Sequence, residues 1–171
     1  MSKEEKYIIA AIVEHKPGVL YSVSNMFRRR GFNIESISVG PTEKRDLARM
    51  TITINGDERT VEQVVKQLNK LIDVVKVSIL DPANTVVREM VLIKVSTPDA
   101  RLRSDVINYT EIFKGHVVDV SHESLVVEIT GAPDKIDAFI DLMKPLGVKE
   151  ISRTGATALS RGTKSVKIEE S

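Results

Sequence analysis

The apolar residues of the first part of the chain change their spacing from one segment to the next. The nearly continuous apolar run KYIIAAIV (6–13) predicts a buried strand. Between Pro17 and Arg30 the apolar residues recur every three or four positions, which predicts a helix that ends at Gly31, a residue type suited to the left-handed conformation at helix C-termini. The predicted apolar stripe of this helix consists of Val19, Leu20, Val23, Met26 and Phe27.

Two predicted strands follow, joined by the polar loop PTEKRD (41–46). The first is NIESISVG (33–40) and the second is LARMTITING (47–56). In the second strand apolar residues alternate with polar ones, so one face is predicted to be buried and the other polar. The apolar set is Ala48, Met50, Ile52 and Ile54, and the polar set is Arg49, Thr51 and Thr53.

A second helix and a fourth strand complete this part of the chain. Thr60, with Gln63 three residues later, fits a capping box at a helix N-terminus. VVKVSIL (74–80) then returns to the alternation that is typical of a strand. The resulting order, βαββαβ over residues 7–81, predicts a ferredoxin-like module with a four-stranded antiparallel sheet and both helices on one face.

The second half of the chain repeats this order after DPANT (81–85), which has the composition of a linker. The second helices of the two halves begin near Thr60 and Pro133, 73 residues apart, and Pro133 suits a first helical turn. We therefore predict an α+β fold of two tandem ferredoxin-like modules. The second module spans residues 86–159, and a polar tail spans residues 160–171.

Composition and charge restrict the partners of the chain. Its 171 residues are 42% hydrophobic, which is enough to bury a core, and 25 basic against 24 acidic residues give a net charge of +1. A chain without a strong positive field is not expected to bind nucleic acid. The densest basic run, RRR (28–30), fits the exposed C-terminal end of the first predicted helix.

Cysteine usage and the apolar runs point to a cytoplasmic compartment. The chain has no Cys, which excludes disulfides and a catalytic thiol and suits a reducing environment. The N-terminal residues MSKEEKY lack the pattern of a signal peptide, and no run approaches the ~20 apolar residues that span a bilayer. We expect a soluble, cytoplasmic protein with no membrane partner.

The turn EHKPGVL (14–20) carries the candidate chemistry, because it leaves a buried strand just where a helix begins. The first backbone N–H groups of a helix are free to bind an anion. Pro17 fits the first helical turn because it lacks an N–H, and Gly18 leaves room for a small carboxylate to reach the amides of Val19 and Leu20. The same residues also fit a purely structural tight turn, and their spacing alone favours that interpretation.

No catalytic constellation is visible in the sequence. His15, His116 and His122 lie in separate predicted loops and strands, without the spacing of metal ligands. The phosphate-binding loop, the nucleophile elbow and the dinucleotide fingerprint are all missing. We therefore expect no catalytic residue, metal or cofactor. An RNA-binding ferredoxin-like domain is also disfavoured, because only 4% of the residues are aromatic and ARMTITI offers no ring for base stacking.

The strings KPGVL, RRGFNIESISVG and RMTI resemble the small, regulatory subunit of acetolactate synthase, also called acetohydroxyacid synthase. In that family the N-terminal module is an ACT domain, here residues 7–81. The resemblance continues through REMVLIKV, EIFKGHVVDVS, EITGAPDKIDAFI and RTGATALSRG, so it covers nearly the whole chain.

This resemblance implies a non-catalytic protein that binds a large catalytic subunit and raises its activity. It also implies feedback inhibition by a branched-chain amino acid, usually valine. The thiamine diphosphate, magnesium and flavin of that enzyme belong to the large subunit, so the resemblance implies no cofactor in this chain. Two ACT domains of the family pair side by side as a homodimer, and the effector lies at their interface against the strand-to-helix turn.

The resemblance further implies positions for the effector site. Gly18 matches the glycine of the turn, and Asn33 matches an effector-contacting asparagine at the start of the second strand. His15 stands where the family commonly has another asparagine, a departure that bears on effector identity and sensitivity. The predicted effector-binding set is His15, Pro17, Gly18, Val19, Leu20, Asn33 and Ile34.

One alternative function shares part of this pattern. A stand-alone ACT-type sensor of amino acids, which regulates another enzyme or a transcription factor, would have the same turn. Such a sensor would lack the family-like second module.

Overall fold

The computed structural model describes residues 5–166, which form two compact units. The first unit contains residues 5–86 and 155–166, and the second is Val87–Thr154. Both units contain the order βαββαβ, which confirms the predicted α+β fold of two ferredoxin-like modules.

The first unit is a four-stranded antiparallel sheet with two helices on one face. Its strands are β1 (Glu5–Glu14), β2 (Ser36–Pro41), β3 (Leu47–Gly56) and β4 (Val74–Leu80), and its helices are α1 (Val19–Arg30) and α2 (Glu58–Leu68). The strand order is β2-β3-β1-β4, so β1 is paired along both edges. Alternate residues of β1, namely Ile9, Ala11 and Val13, face the helices and belong to the apolar core.

Helix α1 follows the predicted stripe with one exception. Val19, Val23, Met26 and Phe27 are buried, whereas Leu20 is 49% exposed because it lies beside the stripe, one position after Val19. The helix ends as predicted at Gly31, whose φ is 69°, in the left-handed region. Leu20 is therefore available at the surface, next to the start of the helix.

Strand β3 is buried on both faces. The predicted apolar set belongs to the core on the helix side. On the opposite, polar face Thr51 is 2% exposed and Thr53 is 0% exposed, so this face is covered. The hydroxyl of Thr53 is hydrogen-bonded to Ser36 Oγ at 2.9 Å, which satisfies a polar group that water does not reach.

The second unit repeats the arrangement. Its strands are β5 (Thr85–Ser96), β6 (His116–Val120), β7 (Ser124–Gly131) and β8 (Val148–Arg153), in the order β6-β7-β5-β8, and its helices are α3 (Ala100–Ile112) and α4 (Pro133–Met143). The first two residues of β5 belong to the first unit. The predicted linker contains one 3-10 turn (Pro82–Asn84), and another (Lys144–Leu146) follows α4. Pro133 opens α4, as predicted.

Arg153 joins three elements of the second unit and pairs a buried carboxylate. Glu89 on β5 is 5% exposed and accepts a hydrogen bond from Arg153 Nε on β8 at 2.7 Å. Arg153 Nη1 also donates to Asp137 on α4 at 2.6 Å. Burial alone would lower the pKa of Arg153, but the hydrogen bonds to Asp137 and Glu89 raise it above its ordinary value. The buried charge is therefore paired.

The second compact unit ends at Thr154, before the predicted module boundary at residue 159. From Gly155 onward the chain belongs to the first unit. Ser38 Oγ on β2 donates to the carbonyl oxygen of Ala156 at 2.8 Å. A Cβ at position 155 would lie 2.8 Å from the carbonyl oxygen of Ile37, so only glycine permits this approach. Periodicity does not reveal contacts between residues 118 positions apart.

The predicted polar tail, residues 160–171, overlaps a further strand by one residue. Ser160 is the last residue of a further strand, β9 (Thr157–Ser160). Arg49 Nη2 on β3 donates to the carbonyl oxygen of Ala158 at 2.8 Å, which holds β9 to the first unit. Residues 167–171 of the predicted tail lie outside the described residues.

Asp57, and not the predicted Thr60, caps α2. Its carboxylate accepts hydrogen bonds from the backbone N–H of Thr60 at 2.8 Å and from Thr60 Oγ1 at 2.7 Å. The capping box predicted for Thr60 and Gln63 is therefore wrong by one helical turn. Thr60 takes part in the cap as a donor and not as the acceptor.

We expect the Asp57→Ala variant to lower the free energy of unfolding by about 1 kcal/mol, because the first turn of α2 loses its acceptor. Gln63→Ala is the matched control, since Gln63 is exposed and the cap does not use it; its effect should stay within about 0.5 kcal/mol. Urea unfolding followed by circular dichroism measures both values. A larger loss of unfolding free energy for Gln63→Ala than for Asp57→Ala would support the capping box predicted for Thr60 and Gln63.

Candidate functional site

The turn between β1 and α1 is held at its start by backbone hydrogen bonds. The N–H of Glu14 donates to the carbonyl oxygen of Asp73 at 2.9 Å, and the N–H of His15 donates to that of Asp46 at 2.7 Å. Both acceptors lie in loops that neighbour β1 in the fold. The position of the turn is thus set before the chain reaches Gly18.

Gly18 is the N-cap of α1, and the helix begins at Val19. The prediction that Pro17 lies in the first helical turn is therefore wrong: Pro17 precedes the cap. Gly18 has φ of 88°, a left-handed conformation that favours glycine, and no side chain caps the helix. A Cβ at Gly18 would meet no atom within 4 Å, so the space in front of the helix start is open.

This geometry offers backbone donors to a small anion. The amides of the first helical turn have no partner within the helix, and the helix dipole adds positive potential at the same end. The N–H of Ser22 is the first to be satisfied from within, by the carbonyl oxygen of Gly18 at 2.9 Å. A carboxylate fits such a site without any cationic side chain.

The nearest cation in the sequence of the turn, Lys16, is already paired. Its ammonium group binds the carboxylate of Asp73 at 2.7 Å and that of Glu14. The hydrogen bond to Asp73 and then that to Glu14 raise the pKa of Lys16 well above its usual range. The charge of Lys16 therefore holds the base of the turn, and sequence reasoning did not identify this role.

Three exposed side chains border the turn. His15 is exposed, Leu20 is 49% exposed and Tyr21 is 71% exposed. Val19, by contrast, is buried and contributes only its backbone. Tyr21 was not predicted as a site residue; the signal available in the sequence was its position beside the apolar stripe of α1.

Asn33 and Ile34 lie beyond the opposite end of α1. The 12 residues of that helix span about 18 Å. Asn33 is exposed, and its Nδ2 donates to Glu35 Oε1 at 2.9 Å. Ile34 is half-buried and packs against the core of the first unit. One copy of the chain therefore brings together the five predicted residues of the turn, but not Asn33 and Ile34 with them.

Strand β2 is an edge of the first sheet. Its pairing partner is β3, and its other edge faces no strand among residues 5–166. Val39, in the middle of β2, is 47% exposed. An unpaired edge with an exposed apolar residue is a surface suited to strand pairing with another chain.

The corresponding turn of the second unit is already capped. There Asp99 is the N-cap of α3, and its carboxylate accepts a hydrogen bond from the N–H of Leu102 at 2.9 Å. The position that Gly18 leaves open at α1 is thus occupied at α3 by a carboxylate of the chain itself. The two turns begin the first helix of each module but differ in whether they can accept an external anion.

Within residues 5–166, no three His, Cys, Asp or Glu side chains lie close enough to hold a metal ion. The helices of this part of the chain are too short or too polar to cross a membrane. His15, His116 and His122 are all exposed.

Two family models match the chain, one on each part. Residues 9–76 match the model described as the acetohydroxyacid synthase small subunit-like ACT domain. Residues 88–162 match the model described as the small subunit of acetolactate synthase. The two matches together cover the open turn, the edge strand β2, the second unit and β9.

Individual relatives align over nearly the full length. The chain is 55% identical to the probable acetolactate synthase small subunit of Methanothermobacter thermautotrophicus, over 95% of this chain and 96% of that one. It is 48% identical to the acetolactate synthase small subunit of Aquifex aeolicus, over 96% of this chain and 85% of that one. The crystal structure of the small subunit from Thermotoga maritima matches with a TM-score of 0.87 at 44% identity and covers 94% of this chain and 99% of that one.

Proposed function

The chain belongs to the acetolactate synthase small-subunit family, and from this premise we propose that it activates the large, thiamine-diphosphate-dependent subunit and confers feedback inhibition by a branched-chain amino acid, with valine as the first candidate effector. Its role is regulatory. Its partners in this proposal are the large subunit, a second copy of itself and the amino acid. The observation that carries the effector site is the open, uncapped start of α1 at Gly18.

The proposed dimer follows from where the effector residues lie. Gly18 and Asn33 are at opposite ends of α1, so one copy of the chain cannot close both around a single amino acid. Helix α1 connects β1 to β2 and therefore lies on the side of the sheet nearer to β2. If two copies pair through their β2 edges about a two-fold axis, the strands run antiparallel, and the start of one β2 lies beside the end of the other. Asn33 of one copy then approaches the turn of its partner.

The chemistry of the two ends suits an amino acid. The backbone amides at the start of α1 bind the carboxylate. Asn33 keeps a free amide oxygen, because its Nδ2 donates to Glu35, and that oxygen is an acceptor for the ammonium group. The carboxylate of Glu35 beside it adds negative charge at the same place. The exposed side chains of Leu20 and Tyr21 provide apolar surface for a branched side chain.

The choice among valine, leucine and isoleucine depends on the shape of this interface. Valine has one methylene fewer than leucine or isoleucine, a difference of about 1–3 kcal/mol in affinity, whereas leucine and isoleucine differ in the position of a methyl group. Calorimetry with the three amino acids measures this preference. His15 replaces an asparagine that is common in the family and is bulkier than an amide. In this proposal His15 adjusts effector preference and is not needed for activation.

The purified chain should not condense pyruvate, even with thiamine diphosphate, magnesium and flavin, because those groups act in the large subunit. Mixed with its cognate large subunit, it should be retained in a pull-down and should raise the turnover of acetolactate formation. Acetolactate formed by this chain alone would overturn the proposal. A stand-alone sensor would neither bind nor activate the large subunit.

Light scattering at micromolar concentration should give the mass of a dimer. Val39→Lys should shift the equilibrium towards monomer, because it places a charge in the proposed seam between two β2 strands. Val75→Lys is the matched control: Val75 lies on the other edge strand, β4, and is 44% exposed against 47% for Val39. A monomer for the parent chain, or a dimer that only Val75→Lys disrupts, would contradict pairing through β2.

Gly18→Asp should abolish binding of the inhibitory amino acid, because it adds a carboxylate where the ligand carboxylate is to bind. Asn33→Ala should weaken binding by about 1–3 kcal/mol through the loss of a polar contact to a charged group. Gly162→Asp is the control for backbone strain, since Gly162 also has a positive φ, 68°, and open space around its Cα.

Calorimetry and inhibition assays on the reconstituted enzyme measure these effects. All three variants should still activate the large subunit, since the turn is proposed to be a sensor and not the subunit contact. Full inhibition of the Gly18→Asp enzyme by the amino acid that inhibits the parent enzyme would show that the turn is structural.

A further inference from the structure

A large cavity lies on the face of the first sheet that is opposite α1 and α2. Its volume is about 840 Å³, and its lining comes from the first unit. Ile12 and Arg49 are cross-strand partners on β1 and β3, and their side chains alternate with the residues that face the helices. Leu159 and Val166 form part of the wall on the other side. The cavity is far larger than the side chain of an amino acid and falls within the range of small-molecule sites.

Arg49 is one of the cationic residues that line this cavity. Its Nη2 donates to Ala158, but its Nε is buried and has no hydrogen-bond acceptor among the described residues. Burial lowers the pKa of Arg49, and Glu43 opposes this shift. Buried donors in native proteins are nearly always satisfied, so the guanidinium group of Arg49 has hydrogen-bonding capacity that the described residues do not use.

The backbone beside Arg49 on β2 carries no side chain. The cross-strand neighbour of Arg49 on β2 is Gly40, and a Cβ at Gly40 would meet no atom within 4 Å. The charged residues that line the cavity are Lys44, Arg49 and Lys164 against Glu43. The lining therefore carries more positive than negative charge, which favours an anion at the polar end.

We propose that this cavity binds a small amphipathic organic anion, whose carboxylate binds the guanidinium group of Arg49 and whose aliphatic or aromatic body lies on Ile12, Leu47, Leu159 and Val166. A guanidinium suits a carboxylate, and the apolar wall suits a hydrocarbon chain. This site is separate from the turn at Gly18, which does not line the cavity. The proposal stands independently of the proposed effector site.

Octanoate is the probe, with 1-octanol as its uncharged match, in calorimetric titrations of the full chain. Octanoate should bind and octanol should bind at least about tenfold more weakly, because octanol cannot replace the carboxylate partner of Arg49. Arg49→Gln should weaken the binding of octanoate by a similar factor. Arg59→Gln makes the same chemical change at an exposed position of α2 outside the cavity and should leave binding unchanged.

Two further variants keep the test decisive if Arg49→Gln disturbs the fold. Ser160→Trp places a large ring at the lining of the cavity and should abolish octanoate binding. Gly18→Asp should leave it unchanged, because its site is elsewhere. Octanoate binding that survives Ser160→Trp, or that Gly18→Asp removes, would overturn the proposal. So would binding that appears only after deletion of residues 167–171, since the occupant would then be the chain itself.

Discussion

The burial of β1 is the constraint on which the first unit depends. This strand is paired along both edges, and Ile9, Ala10, Ala11 and Val13 are 0% exposed. A strand that is covered on both faces cannot slip by one residue without moving every side chain to the wrong face. The point where β1 ends is therefore fixed, and with it the place where α1 begins. The rigid scaffold sets the position of a turn that is itself exposed.

Local features of this unit were predictable because periodicity records them directly. The order βαββαβ, the buried stripe of α1 and its end at Gly31 depend on residues within a few positions of one another. Helix starts were less predictable. Asp57 and Thr60 are both acceptable N-caps, one turn apart, and the sequence does not decide between them. Pro17 was misplaced for a similar reason: proline also fits the position before a glycine cap.

Features that depend on distant parts of the chain were not predictable. Lys16 is neutralised by Asp73, and Arg49 holds the carbonyl of Ala158, which is 109 positions away. The contiguous part of the candidate site, residues 14–20, was found because a single turn contains it. The role of Glu35 beside Asn33 was missed, since a hydrogen bond between exposed side chains leaves no periodic signal. Sequence patterns thus predict secondary-structure elements and contiguous turns. Only the structure shows which helix start has no capping side chain.

The carboxylate of Asp99 distinguishes the start of α3 from the start of α1. In the second unit this side chain accepts a hydrogen bond from the N–H of Leu102, so the chain itself supplies a carboxylate to the first turn of α3. At Gly18 no side chain caps α1, so the chain supplies no such acceptor there. The two modules share one topology, but a side chain caps the first turn of α3 and none caps the first turn of α1. Under the proposed function, one of the two helix starts that open the modules is available to an amino acid, so a chain with two modules of the same fold offers one such site and not two.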